Sequence, residues 1–181
     1  LVANSKVQQL IIFLRRGGLR HLDINERLAT GEYRGYTPLQ AAVLKCTSSG
    51  VAAMLELTGA DPDVRSSRTF RVDEDQSAET ALHLAARKGD VGMVRSLLHH
   101  GAQVDVLDSR HRTPLLVAAA SATTKTSFHH VVAAELVKAG ASLLARDESG
   151  DTPLHLACDT PHALPLVHEI TQAGRAPSGT M

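Results

Sequence analysis

Apolar and polar positions alternate along this chain in a phrase that is written four times: Thr37-Pro-Leu-Gln-Ala-Ala42, Thr80-Ala-Leu-His-Leu-Ala-Ala86, Thr113-Pro-Leu-Leu-Val-Ala-Ala119 and Thr152-Pro-Leu-His-Leu-Ala-Cys158. The threonines stand 43, 33 and 39 residues apart, which reads as a base period of 33 with two insertions. Self-similarity at that period predicts a stack of small units, each unable to bury its apolar face alone.

The unit over residues 80–112 is the cleanest. Thr80 is a suitable N-cap for a short helix over Ala81–Lys88, whose small Leu-Ala-Ala face lets neighbours approach closely. Three of the four copies place Pro next (Pro38, Pro114, Pro153), where the missing N–H costs nothing. Gly89 is placed to end the helix in a left-handed conformation. A second helix is predicted over Val91–His99, because Val91, Val94, Leu97 and Leu98 fall on one stripe. Gly101 closes it, and Ala102–Val106 leads into a hairpin that runs to the next Thr-Pro. His111 occupies the hairpin position held by Gly35 and Gly150 in sister units; if that position needs a positive φ, His is among the better-tolerated residues, and the two readings are simple tolerance and display at the tip for contact.

The run Thr-x-Leu-His-Leu-Ala-Ala-x-x-Gly at Thr80–Gly89, with Val94, Leu97, Leu98 and Gly101-Ala102 after it, resembles the ankyrin repeat. The resemblance covers almost the whole chain. It implies an all-α solenoid of helix-turn-helix units with β-hairpin fingers, about five units with the first truncated. One domain over residues 1–174 is expected, with a partial unit over 1–36, units starting near 37, 80, 113 and 152, and a flexible tail over 175–181. Within it, Lys6–Arg16 would be a second helix, and the last second helix would run over about Ala163–Gln172. Without an initiator Met or a leader, the chain is expected to be an excised domain that continues N-terminally.

A narrower resemblance lies in Val7-x-x-Leu10, Phe13, Gly17-Gly18, Leu22-Asp-Ile24, Tyr36-Thr-Pro-Leu39 and Ala42-Val43. This segment is similar to an early repeat of the IκB family, which would imply a Rel-homology transcription factor as partner.

The 181 residues carry nineteen basic and nineteen acidic side chains, so net charge favours neither nucleic acid nor an anionic membrane. Apolar runs are far shorter than the ~18 residues that signal a bilayer span. Cys46 and Cys158 lie three units apart and are expected as free thiols, consistent with cytoplasmic or nuclear residence. No cofactor, metal or small-molecule substrate is expected. The adjacent pairs His99-His100 and His129-His130 are poor chelators, because helical neighbours face different ways. His83 and His155 stand in the repeated phrase, and the ankyrin resemblance assigns them structural hydrogen bonds between units. No phosphate-cradling loop or nucleophile elbow occurs, so the chain is read as non-catalytic.

Irregularities in a repeat array mark binding loops. The connections Leu19–Tyr36 and Asp63–Glu79 lengthen two adjacent hairpins, and Ser121–Phe128 interrupts a helix pair. Tyr33, Tyr36, Phe70 and Phe128 fall in these segments, and Arg34, Arg65, Arg68, Arg71, Arg110 and Arg112 gather beside them. Aromatic and Arg side chains dominate interface hot spots, and a row of guanidinia could grip carboxylates or phosphates. The competing readings are loops folded over their own aromatics, and Arg71 neutralised by Asp73-Glu74-Asp75. The predicted partner-binding set is Tyr33, Arg34 and Tyr36; Arg68, Phe70 and Arg71; Arg110, His111, Arg112 and Glu148; and Arg87 on the neighbouring helix surface. The expected role is a protein-interaction module or scaffold for a transcription factor or signalling protein. The alternatives are an IκB-like regulator and a passive targeting arm of a larger enzyme or channel.

Overall fold

The computed structural model describes residues 24–28, 33–67, 78–122, 128–159 and 164–175. Eight helices are present among them: α1 (Pro38–Lys45), α2 (Ser48–Thr58), α3 (Ala81–Lys88), α4 (Val91–His99), α5 (Pro114–Ser121), α6 (His129–Lys138), α7 (Pro153–Cys158) and α8 (Leu164–Arg175). The expected helix over Lys6–Arg16, the centres of the second and third insertions, and the tail beyond Arg175 lie outside the described residues.

Local chemistry sets the helix starts. Thr37, Thr80, Thr113 and Thr152 are extended N-cap residues, and Pro38, Pro114 and Pro153 take the first helical positions. Helix α3 ends at Gly89 with φ +70°, and α2 at Gly59 with φ +61°. The last helix is described over Leu164–Arg175, past the expected end at Gln172.

The helices form two layers. First helices α1, α3, α5 and α7 pack in succession, and second helices α2, α4, α6 and α8 do the same; each first helix also meets its own second helix. Leu82, Leu84, Met93, Leu97, Leu115 and Leu136 are fully buried between them. The alanines of the repeated phrase (Ala42, Ala85, Ala86, Ala118, Ala119, Ala157) let the first helices approach closely. Burying about 25 cal/mol per Å² of apolar surface this way stabilises neighbours jointly, which makes the stack all-or-none at each junction.

Polar staples fix the register between units. Gln40 accepts the Thr37 N–H at 2.9 Å through Oε1 and donates through Nε2 to the carbonyls of Val64 (2.7 Å) and Glu79 (2.8 Å) in the next finger. His83 does the same work in the next unit. Its Nδ1 accepts from the Thr80 N–H at 3.2 Å, so Nε2 carries the proton that bonds the Arg112 carbonyl at 2.9 Å. Leu116 holds the corresponding place in the third unit and cannot bridge. His155 caps Thr152 at 3.3 Å and is exposed.

The fingers contain no strand among the described residues. They are short hairpins closed at the turn, with no ladder long enough to form a strand. Asp108 N–H bonds the Arg112 carbonyl and Asp147 N–H the Asp151 carbonyl, each at 3.0 Å, and Asp108 and Asp147 then turn their carboxylates onto the turn amides. A side chain that satisfies a tight turn removes the need for a longer ladder.

Two outcomes follow from the staples. Burial, first, lowers the pKa of His83 below its ordinary value; the Arg112 carbonyl and Asp108 oppose this, and Arg112 and Arg65 add to it. The folded chain therefore binds that proton less readily than the unfolded one. Stability should be full above pH ~6.5 and fall as pH drops below it, by at most about 1.4 kcal/mol per unit. His83→Gln, which can copy the bonds of Gln40, should remove this acid-side slope in urea titrations; an unchanged slope would assign it to other groups. Leu116→His should add a staple, because the Asp151 carbonyl is set as the Arg112 carbonyl is. The gain expected in urea unfolding is about 1 kcal/mol, and no gain would show that the ring does not reach.

Candidate functional site

The roots of the fingers carry the densest electrostatics in the described structure. The residue before each phrase threonine is Tyr36, Glu79, Arg112 or Asp151 in turn. Glu79 is 1% exposed, and its carboxylate pairs with Arg87 at the end of α3, whose side chain is 43% exposed. The Glu79 N–H bonds the Ser66 hydroxyl at 3.0 Å and its carbonyl accepts from Ser66 N–H at 2.8 Å. In the next finger, Asp108 is buried and receives Arg112 through Nε (2.9 Å) and Nη2 (2.8 Å). Its Oδ1 accepts the N–H groups of Arg110 and Arg112, both at 2.9 Å. Burial alone would raise the Asp108 carboxyl, but the Arg112 guanidinium and these amides hold it below the usual carboxylate range. Burial lowers Arg87, and the neighbouring charges of Arg112 and Arg110 lower it further, against the opposing pull of Tyr36 and Asp108.

Adjacent fingers are tied by their backbones. Ser67 N–H bonds the Gly35 carbonyl at 2.8 Å, and Glu148 N–H bonds the Arg110 carbonyl at 3.1 Å. The third and fourth finger tips thus stand side by side.

Several predicted site residues meet the expectation of display. Arg34, Arg110, His111 and Glu148 are exposed on the finger tips, and Arg87 is half-exposed next to them. Tyr36 does not. It is 5% exposed and belongs to the hydrophobic core, so it supports the first finger from beneath and is not an anchor for a partner. Glu79, directly before the next cap threonine, is buried as well, whereas Arg112 and Asp151 at the same place are partly exposed. Tyr33 is half-buried with its hydroxyl enclosed, and Lys45 Nζ lies 5.7 Å from its ring centroid. Arg112 is only partly available because Asp108 holds it. Arg68, Phe70 and Arg71 lie outside the described residues.

Phe128, one of the two aromatics weighed as an anchor or a loop filler, is 63% exposed at the start of α6. It borders a hollow of about 490 Å³ lined by Lys88, Gly89, Asp90, Val91 and Gly92, away from the fingers. Sequence reasoning missed Glu79 and Asp108 as partners of the predicted arginines. For Asp108 the signal was present, because it stands four residues before Arg112. Among the described residues, no group of His, Cys, Asp and Glu is arranged to hold a metal, and no helix is long and apolar enough to cross a membrane. Cys46 and Cys158 are free thiols, and burial pushes the Cys46 thiol up in pKa despite nearby Lys88.

His111 has φ +55° and is the only described non-glycine residue with positive φ. Glycine would adopt this conformation without strain, and His is among the better-tolerated side chains there. His111→Gly should leave thermal stability unchanged or raised by up to about 1 kcal/mol while weakening partner binding. Loss of stability would show instead that the imidazole supports the turn.

Residues 66–134 match the family model for ankyrin repeats, in three copies. The chain is 35% identical over 109 residues to the potassium channel SKOR of Arabidopsis thaliana, covering 58% of this chain and 12% of that protein. It is 30% identical over 142 residues to the E3 ubiquitin-protein ligase KEG of the same plant, covering 77% and 8%. Human B-cell lymphoma 3 protein is 38% identical over 93 residues, covering 49% and 19%. The chain therefore spans only a small part of each of these relatives. The matched family, the four-fold phrase and the two helical layers agree: the chain is an ankyrin-repeat array, an all-α solenoid of the class that serves as a protein-interaction module.

Proposed function

We propose that this array is a non-catalytic module that binds a protein partner through its finger tips and the adjoining ends of the first helices. One observation carries the reading. Arg110, His111 and Glu148 are displayed on two fingers whose backbones are bonded to each other, and Arg34 on a first finger bonded to the second, while most apolar residues of the phrases are packed in the stack. Polar and charged tips held on a packed core offer a surface suited to a protein partner. The free thiols suit a reducing compartment, so we place the module in the cytoplasm or nucleus.

A transcription factor as partner is the second reading. The resemblance of the first forty residues to the IκB family and the likeness to B-cell lymphoma 3 protein favour it. The small share of the channel and ligase relatives that this chain spans favours a third role, as a targeting arm within a larger enzyme or channel.

Affinity capture followed by cross-linking tests the binding surface. Arg110→Ala combined with Glu148→Ala should lose captured protein, whereas Arg95→Ala on the outer face of α4 should retain it. Capture that survives the finger changes and fails with Arg95→Ala would move the surface to the second helices.

A further inference from the structure

We propose that two copies of this chain meet end to end through the outer face of the fourth unit, in a two-fold contact. This face lies at the end of the helical stack and is separate from the finger-tip surface described above.

Sister units show what such a face does inside the array. Leu82, His83 and Leu84 of the second unit are 0%, 0% and 2% exposed, and Leu115, Leu116 and Val117 of the third are enclosed in the same way. The same three places in the fourth unit are Leu154, His155 and Leu156. There the face is open: Leu154 is 37% exposed, His155 is exposed and Leu156 is only partly buried. Leu144 and Leu164 belong to the same unit, and they are the most exposed large apolar side chains among the described residues, at 82% and 85%.

Hydrogen bonding makes the face self-complementary. His155 Nδ1 accepts the Thr152 N–H at 3.3 Å, so the neutral ring carries its proton on Nε2, as His83 does. His83 gives that proton to the Arg112 carbonyl, whereas the Nε2–H of His155 meets no acceptor among the described residues. An acceptor stands on the fourth finger. Its turn copies that of the third: Asp147 and Asp108 each bond the carbonyl four residues on, and each carboxylate caps the amides two and four residues on. In the third finger the Arg110 carbonyl points to the following unit and accepts the Glu148 N–H. Ser149 holds the place of Arg110, two residues after the turn Asp, so its carbonyl is directed outward from the stack. A two-fold axis sets the donor of each copy against the acceptor of the other.

Two features favour a second copy over a further repeat. Every internal junction carries a side-chain acceptor for an amide of the next unit, from Asn25, Asp63 and Asp105 in turn. Leu144 stands next in that series and accepts nothing. The second helices α2, α4 and α6 are also followed by Gly59-Ala60, Gly101-Ala102 and Gly140-Ala141, which open the next finger, but α8 carries Gly174 within the helix and Arg175 after it. A repeat docked here would lose its ladder bond. The same face of another copy brings apolar side chains to Leu144 and Leu154 and requires no such bond.

Sedimentation velocity on the whole chain, from low to high concentration, tests the contact. One helix pair and one finger make a small face, so association should be weak and reversible. Monomer should give way to dimer and to nothing larger, and sulfate should strengthen the dimer, as it strengthens apolar burial. Leu154→Glu should restore the monomer. His155→Leu should weaken association about ten-fold, while His155→Gln, able to accept and donate as Gln40 does, should preserve it. Circular dichroism checks that each variant is folded. A monomer at every concentration, or a dimer indifferent to Leu154→Glu and His155→Leu, would overturn the inference. Growth beyond the dimer would exclude the two-fold arrangement, because a head-to-tail contact does not close. Arg110→Ala should leave the dimer intact, and dissociation by that change would move the contact to the fingers.

Discussion

A single side chain at the fourth position of the repeated phrase governs how one unit meets the next. It must accept the N–H of its own cap threonine and also donate to a carbonyl at the root of the next finger. Gln40 and His83 meet both demands with different chemistry, an amide in one case and an imidazole fixed as its Nε2–H tautomer in the other. The apolar layers alone would tolerate sliding, because Leu and Ala faces are non-directional. Two hydrogen bonds of fixed length in a buried setting are not so tolerant, and an unmade one costs about 1–3 kcal/mol. The staple therefore turns hydrophobic stacking into a defined register, and the fingers inherit their positions from it.

That inheritance explains the charge layout. Once the Glu79 carbonyl is committed to Gln40 and Ser66, the side chain of Glu79 is forced inward, where an unpaired carboxylate would be costly. Arg87, whose backbone is in the last turn of α3, reaches back along the helix and supplies the counter-charge. Asp108 solves a different problem in the next finger. It caps the turn amides of Arg110 and Arg112, and only then does the Arg112 guanidinium fold back onto it. In both places an acid required by the backbone arrangement pulls an arginine to the finger root, and cationic surface is the by-product.

The repeat period, the helix starts and stops at Thr80, Gly89 and Gly101, and the positive φ at His111 were all legible in the sequence, because each depends on residues within a few positions of one another. Tyr36 was misread for the opposite reason. Its burial follows from the α1–α3 junction, and nothing local to Gly35-Tyr36-Thr37 distinguishes an inward from an outward tyrosine. The Glu79–Arg87 pair was hidden similarly: the two residues are eight apart, and only the cap geometry at Thr80 folds the first back over the helix end of the second. The capping of the finger turns by Asp carboxylates could have been read from the Asp-x-x-x-Arg and Asp-x-x-x-Asp spacings at Asp108 and Asp147, because Asp side chains bond turn amides.

The junction between the third and fourth units shows what the fold does when the staple is missing. Leu116 offers no polar atoms, so register there rests on backbone acceptors and a carboxylate. Asp105 receives the Ser142 N–H with both oxygens at 3.1 Å, as Asp63 receives Gln103 and Asn25 receives Asp61 one and two units earlier. The Arg110 carbonyl receives Glu148. These bonds lie at the finger end of the junction and not within the first-helix layer, so they hold the tips of the third and fourth fingers together more directly than they hold the helices. The next position in the same series is Leu144, which is 82% exposed and has no carboxylate to extend the ladder. A basic tip and an acidic tip are thus fixed to each other by main-chain contact, and a partner that reads one sign must accommodate the other at a set distance.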